Sequence, residues 1–462
     1  FNFGTWNLTD TNISSNSATS NGGGIFNSGT VNLTDSTISN NVTSGNGGGI
    51  YNSSGTVNFT NIIVSSNSAS SSGGGIHNLD TITLTDSTIF ENTADSGNGG
   101  GIHNLSTITF NNNNTFTNNG ISILMNSGAI VNETLNNTAF SETTGNYIIL
   151  GNEVLGGQEI DATNATFEGL RGVNATLAQL FSIEDKITHA VDNSTFGFIR
   201  VKPNSVYVTE NSGSIQRGIN VPRLDDNVVD NINVAEGNYT ESIDINKSVN
   251  LIFDGTGATI TGDLITSAGD TDTIGLSGTF TASSINFSNS LNLLGDVNLS
   301  TKGGTFTSGE INGSGTNIDI NATEIATGVI DTSNVNGNGG NIKLESLVGG
   351  IKTENINSSG NSQAGNVTLK AQKDIEVNSI DARSNGGGGK VNIETSAFFR
   401  GVGTLPDDDS LTISTSGNDD AITINLNPNK ATRNDLKTSP FTIGDASTNG
   451  TAKGIKSSQA QF

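Results

Sequence analysis

A fixed period constrains this chain more than any other feature. Gly-Gly-Gly-Ile occurs at residues 22–25, 47–50, 73–76 and 99–102, at steps of 25, 26 and 26 residues. Each copy is followed by an aromatic-type residue and an asparagine: Phe26-Asn27, Tyr51-Asn52, His77-Asn78 and His103-Asn104. A second segment keeps the same step, in Thr5-Trp6-Asn7-Leu8-Thr9, Thr30-Val31-Asn32-Leu33-Thr34, Thr56-Val57-Asn58-Phe59-Thr60, Thr81-Ile82-Thr83-Leu84-Thr85 and Thr107-Ile108-Thr109-Phe110. A third is an aliphatic residue with asparagine three later: Ile13/Asn16, Ile38/Asn41, Val64/Asn67 and Ile89/Asn92. Three short alternating segments per unit, separated by Gly, Asn and Ser, predict three strands per turn of a coil. The fold class expected is all-β: a right-handed parallel β-helix, a solenoid of about 25 residues per coil.

In such a fold each coil stacks about 4.8 Å above the last, so equivalent positions form ladders along the axis. Alternation sends Val31 and Leu33 inward and Thr30, Asn32 and Thr34 outward. Ile25, Ile50, Ile76 and Ile102 are expected in one inward column. Asn27, Asn52, Asn78 and Asn104 are expected as an amide ladder at a corner, each side chain bonding its neighbours above and below. The triple glycines permit positive φ and close backbone approach where the chain turns.

The second half repeats with a different consensus. Asn317-Ile318-Asp319-Ile320, Asn341-Ile342-Lys343-Leu344, Asn366-Val367-Thr368-Leu369 and Lys390-Val391-Asn392-Ile393 step by 24, 25 and 24 residues. Between the halves, Leu177, Leu180, Phe181, Ile183, Ile187 and Val191 recur at three- and four-residue steps, predicting one short lateral α-helix near 177–191 that caps or plugs the solenoid. The expected organisation is a β-helix over 1–145, an irregular insertion with the helix over 146–205, and a second β-helix over 206–462. If all 462 residues coiled, a rod of roughly 18 coils and on the order of 90 Å would result.

Composition narrows the function classes. Apolar residues make up only 32% of the chain, which usually signals disorder, but disordered chains are rich in charge and proline, and here charge is 14% and Pro occurs 5 times. An ordered fold with so thin a core must repeat itself. A balance of 20 basic against 44 acidic residues argues against nucleic acid or an anionic membrane surface as partner. Zero cysteines exclude a disulfide scaffold, a thiolate metal site and a cysteine nucleophile. No apolar run is long enough to span a membrane as a helix. Phe1-Asn2-Phe3-Gly4 reads as the middle of a strand, and the chain is expected to be a segment of something longer.

Candidate chemistry is sparse. Asp407-Asp408-Asp409 and Asp419-Asp420 read as solvated acidic turns or as sites of adventitious calcium; otherwise no cofactor is expected. His77 and His103 occupy one position in consecutive coils, with rings about 5 Å apart. A shared metal would need a third ligand that is not evident, and Phe26 and Tyr51 in the same column favour an aromatic-type ladder. His189 has no repeat partner and carries no inference. No catalytic or metal-ligating residue is assigned. A cleaving enzyme needs Asp/Glu converging with Lys/Arg around one coil level, which the sequence does not show, so an enzyme is not expected. The one surface with design content is the outward array Thr5, Thr9, Thr30, Thr34, Thr56, Thr60, Thr81, Thr83, Thr85, Thr107 and Thr109, with its asparagines. Such arrays lie along a glycan or bind ice; equally, β-branched Thr simply suits an exposed strand.

Three stretches bring known families to bear. The paired Gly-Gly-Gly-Ile and Ile-x-x-Asn motifs over 4–120 resemble polymorphic outer-membrane protein repeats. Ser214-Ile215-Gln216-Arg217-Gly218-Ile219-Asn220 with Ile232-Asn233-Val234-Ala235-Glu236-Gly237-Asn238-Tyr239-Thr240-Glu241 resembles the opening coil of pectate-lyase-like β-helices, although Val228-Val229-Asp230-Asn231 stands where that family has Gly-Asp. Ala397-Phe398-Phe399-Arg400-Gly401, Thr412-Ile413-Ser414-Thr415 and Pro440-Phe441-Thr442-Ile443-Gly444-Asp445-Ala446-Ser447-Thr448-Asn449-Gly450-Thr451 resemble the large β-strand-repeat exoproteins of cyanobacteria, which are similar to filamentous haemagglutinins. The resemblance implies secretion to the cell surface or beyond and a structural or adhesive role. The partners expected are further copies of the chain, end to end or laterally as fibres, and extracellular polysaccharide. The alternative it leaves is a polysaccharide-binding or polysaccharide-cleaving β-helix protein.

Overall fold

The computed structural model describes residues 1–126, 129–131, 134–135, 137–151, 158–221, 229–269, 273–407, 412–415, 421–426, 441–443, 455–456 and 459–461. Its strands pair in parallel, about 25 residues apart, in about 15 solenoid turns, and fall into two compact units, Phe1–Val228 and Val229–Phe462. Eighteen turns would require the whole chain to coil; the stretch that holds both α-helices does not.

In the first unit the period of the sequence becomes the register of the sheets. Thr30–Thr34 pairs with Thr5–Thr9 on one side and Thr56–Thr60 on the other, residue for residue, and Thr81–Thr85 and Thr107–Asn111 continue the stack. Ile25, Ile50, Ile76 and Ile102 form the expected inward column and are at most 2% exposed. A second column runs Ile13, Ile38, Val64, Ile89, Phe116, Phe140 and Phe167. In its last three coils it becomes a stack of phenyl rings, with centroids 5.4 and 5.5 Å apart.

The corners explain the composition. Between strands the chain turns on a single residue in the left-handed region, at Asp10, Asp35, Asn61, Asp86 and Asn112 in one column and Ser15, Asn40, Ser66, Glu91 and Asn118 in another. Aspartate and asparagine tolerate that conformation better than other side chains. At the third corner the first glycine of each triplet has positive φ, as at Gly47 (φ 69°). The second allows backbones to touch: a Cβ on Gly48 would fall 2.4 Å from the Gly74 carbonyl oxygen of the next coil.

Asparagine ladders lock the stack. Asn2 donates through Nδ2 to Asn27 Oδ1, Asn27 to Asn52, Asn52 to Asn78 and Asn78 to Asn104, at 2.7–2.8 Å, and all five are at most 1% exposed. A second amide ladder runs Asn16, Asn41, Asn67, Asn92 and Asn119 at 2.8–3.1 Å. A buried amide left without partners would cost about 1–3 kcal/mol, so each coil requires the next to be in register.

Residues 158–221 depart from the repeat. The expected helix forms but is shorter than the apolar spacing suggests, running Leu177–Glu184 behind a capping box of Thr176 and Gln179. Ile187 and Thr188 instead pair as a strand with Ile148 and Ile149, and Val191 lies in the following turn. The apolar steps continue past Glu184 because that strand is buried too. The Ser214-Ile215-Gln216 stretch, expected in an opening coil, is itself a short helix, Ile215–Asn220, started by the Ser214 hydroxyl accepting from the Arg217 N–H.

In the second unit the expected strands stack in register: Ile318 on Ile342, Val367 and Val391, and Ile325 on Ile351, Ile375 and Phe399. Earlier coils are tighter than 25 residues. Asp230 stands over Val249 and Ile274 over Leu291, steps of 19 and 17 residues. The outward columns also change character, from neutral to alternating charge. Lys343 Nζ lies 2.9 Å from Asp319 and 3.9 Å from Glu345, and Lys370 lies 3.6 Å from Glu345. Exposed pairs of this kind add little stability each but disfavour a slip of one coil against the next.

Candidate binding face

The first unit carries the threonine array as an in-register sheet face. Thr5, Thr30, Thr56, Thr81 and Thr107 form one column, and Thr9, Thr34, Thr60, Thr85 and Asn111 another. Between them stand Asn7, Asn32, Asn58, Thr83 and Thr109, with Asn58 donating to Asn32 and Asn32 to Asn7 at 2.8 and 2.7 Å. Five strands at about 4.8 Å and five residues at about 3.3 Å make a face about 19 Å long and 13 Å wide. It presents hydroxyls, amides and methyls and no charge. The chain has no lysine or arginine before Arg171, a signal open to sequence reading that fixes the electrostatics of this surface.

A second column runs beside the glycine corner. Phe1, Phe26, Tyr51, His77 and His103 form one ring column with successive centroids 4.9, 5.2, 5.2 and 4.8 Å apart, His77 lying flat on Tyr51 and edge-on to His103. The histidines are only 6% exposed, and among the described residues neither Nδ1 has a hydrogen-bond partner. His103 Nε2 lies 2.9 Å from the Asn126 amide. Burial, and for His77 the neighbouring His103 as well, pushes their pKa values down, to about 3 for His77 and about 4 for His103. Both rings are therefore neutral at pH 7 and behave as members of an aromatic stack. Among the described residues no group of three or more His, Asp or Glu side chains is placed to hold a metal ion.

Two buried pairs of ionisable groups also lie inside this unit. Arg200 grips Glu159 through Nε and Nη2 at 2.6 and 2.8 Å, both side chains being at least nine-tenths buried. His189, which the repeat leaves without a role, is fully buried 2.7 Å from Glu184, and its Nδ1 accepts the Ile199 N–H at 3.1 Å. That second contact uses the Nδ1 lone pair, so the tautomer that satisfies both carries its proton on Nε2 and donates to Glu184. These buried pairs hold the non-repeating segment together.

Asp407 lies in an exposed turn, as expected, and is ion-paired there: the Arg383 guanidinium reaches it at 2.8 Å and Asp381 at 2.6 Å. Asp408, Asp409, Asp419 and Asp420 lie outside the described residues. Acidic and basic groups are not expected to converge around one coil level, but stacking brings some together across levels. In the second unit Glu324, Lys352, Lys373, Asp374 and Glu376 line one groove. It spans four coils, so no single repeat displays it, and only the register brings its residues together. Among the described residues no helix is long and apolar enough to cross a membrane. Comparison of the chain with protein-family models, curated proteins and solved structures finds no match.

Proposed function

We propose that this chain is a secreted structural or adhesive β-solenoid whose threonine and asparagine face lies along neutral extracellular polysaccharide. One observation carries the reading: a face of five in-register strands, three outward columns wide, made only of Thr and Asn. Its mechanism is passive. Repeating hydroxyls and amides offer many weak, equivalent hydrogen bonds to a repeating ligand, and avidity comes from engaging several at once. The absence of cationic side chains before Arg171 supports a neutral glycan over a polyanion. Secretion and a place at the cell surface belong to the same proposal and rest on the family resemblances of the repeats and of 397–451.

The test is co-sedimentation of the full chain with insoluble neutral polysaccharides, compared with an Asn58→Lys/Thr83→Lys variant. Both substitutions point outward and leave the core untouched. The proposal expects saturable binding that falls at least fivefold in the variant. Binding to none of the polymers, or equal binding by both proteins, would sink it.

A further inference from the structure

We infer that the second unit carries a discrete saccharide-binding groove, distinct from the threonine face, which takes a neutral pyranose oligosaccharide. The register that stacks Ile325, Ile351, Ile375 and Phe399 also stacks the residues just before them: Glu324, Gly350, Asp374 and Phe398. The residues just after them form the column Ala326, Lys352, Glu376 and Arg400. Small residues make the hollow. Gly350 leaves no side chain between Glu324 and Asp374, and Ala326 leaves the adjoining column short. A Cβ on Gly350 would fall 2.4 Å from the Asp374 carbonyl oxygen, so backbone contact keeps that position glycine. The resulting groove has a volume of about 720 Å³, within the range of small-molecule sites.

Its walls have the chemistry of a sugar site. Phe398 is half-buried at one end, an aromatic surface for the C–H face of a pyranose ring. Glu376 is held from both sides, by Lys352 and by Arg400, each at 3.2 Å, so those two cations are already committed. Lys373 and Glu324 make no ion pair among the described residues, and the Asp374 carboxylate accepts only the Phe398 N–H, at 3.2 Å, among the hydrogen bonds described. One ammonium donor and two carboxylates that retain acceptor capacity therefore face the hollow beside an aromatic ring. Carboxylates accept hydroxyl donors strongly. With Arg400 counted, three carboxylates stand against three cations, so the groove carries no net positive charge to draw in a uronate or sulfated chain. Neither the residues nor the unit are shared with the threonine face, so this site stands or falls separately.

The experiment uses the full chain with cellotetraose, xylotetraose, maltotetraose and, as the acidic probe, tetragalacturonate. Lysine acetylation is read by mass spectrometry with and without each sugar. The threonine face contains no lysine, so protection of Lys373 and Lys352 reports on the groove alone, with Lys343 and Lys370 as controls. At least one neutral tetrasaccharide is expected to protect Lys373 threefold or more while leaving the controls unchanged. Phe398→Ala and Ala326→Gln, the second filling the hollow, are each expected to weaken that sugar's affinity at least tenfold. No protection by any neutral sugar overturns the inference, as does unchanged affinity in either variant. So does tighter binding of tetragalacturonate than of every neutral probe. If either variant fails to fold, the footprint on the unmodified chain still decides.

Discussion

The histidine column predicts an acid sensitivity that can be removed. An unfolded chain takes up a proton at each histidine near pH 6.5, whereas His77 and His103 in the stack do so only at about 3 and about 4. Between those limits the unfolded state binds more protons, so stability is full above pH 6.5 and is lost as pH falls. Linkage puts the loss between pH 7 and pH 5 at about 2 kcal/mol per histidine, or about 4 kcal/mol for the pair. The perturbation is His77→Phe/His103→Phe, which continues the column as Phe26 and Tyr51 begin it, at the same ring spacing of about 5 Å. Urea unfolding followed by the fluorescence of Trp6, the single tryptophan, reads the first unit at both pH values. Carboxylate contributions are common to both proteins and cancel. The unmodified chain should lose about 4 kcal/mol more than the variant between pH 7 and pH 5. Equal losses in the two proteins would show that the rings are not held neutral by burial.

Four further outcomes follow from contacts in the two units. Gly48→Ala places a Cβ 2.4 Å from the Gly74 oxygen and 2.5 Å from the Ser68 oxygen, both backbone; it should cost about 3 kcal/mol in thermal unfolding. Gly387→Ala, which meets nothing within 4 Å, should change stability by less than about 0.5 kcal/mol. Asn52→Leu breaks a fully buried ladder at both its Asn27 and Asn78 bonds and should cost about 3 kcal/mol by chemical denaturation. Arg200→Met strands the buried Glu159 carboxylate and should cost about 3–5 kcal/mol, while the Glu159→Leu/Arg200→Met double variant recovers most of it; a double variant as unstable as the single would refute that account.

What was legible in the sequence is what repeats. In a parallel solenoid the step between copies is also the contact between copies, so aligning Asn27 with Asn52 in sequence places one above the other in space. Hence the inward isoleucines, both asparagine ladders, the outward threonines and the shared column of His77 and His103 could all be read by lining up the units. The positive-φ corners at Asp35 and Asn61 were available in the same way, as columns of Asp and Asn between strands.

Tertiary structure alone decided what does not repeat. The helix stops at Glu184 because Ile187 finds Ile148 as a strand partner, a contact across a gap unrelated to the period. Glu159 finds Arg200 and Glu184 finds His189 for the same reason: each pairing depends on how an irregular segment folds back. The coils near 230 and 274 tighten because their corners shorten, which shifts the register without changing the alternation that sequence displays. The groove is decided by columns rather than rows: Glu324, Gly350, Asp374 and Phe398 are unremarkable within their own coils. They form a cavity only because backbone hydrogen bonding stacks them, and because the second of them has no side chain to fill the space.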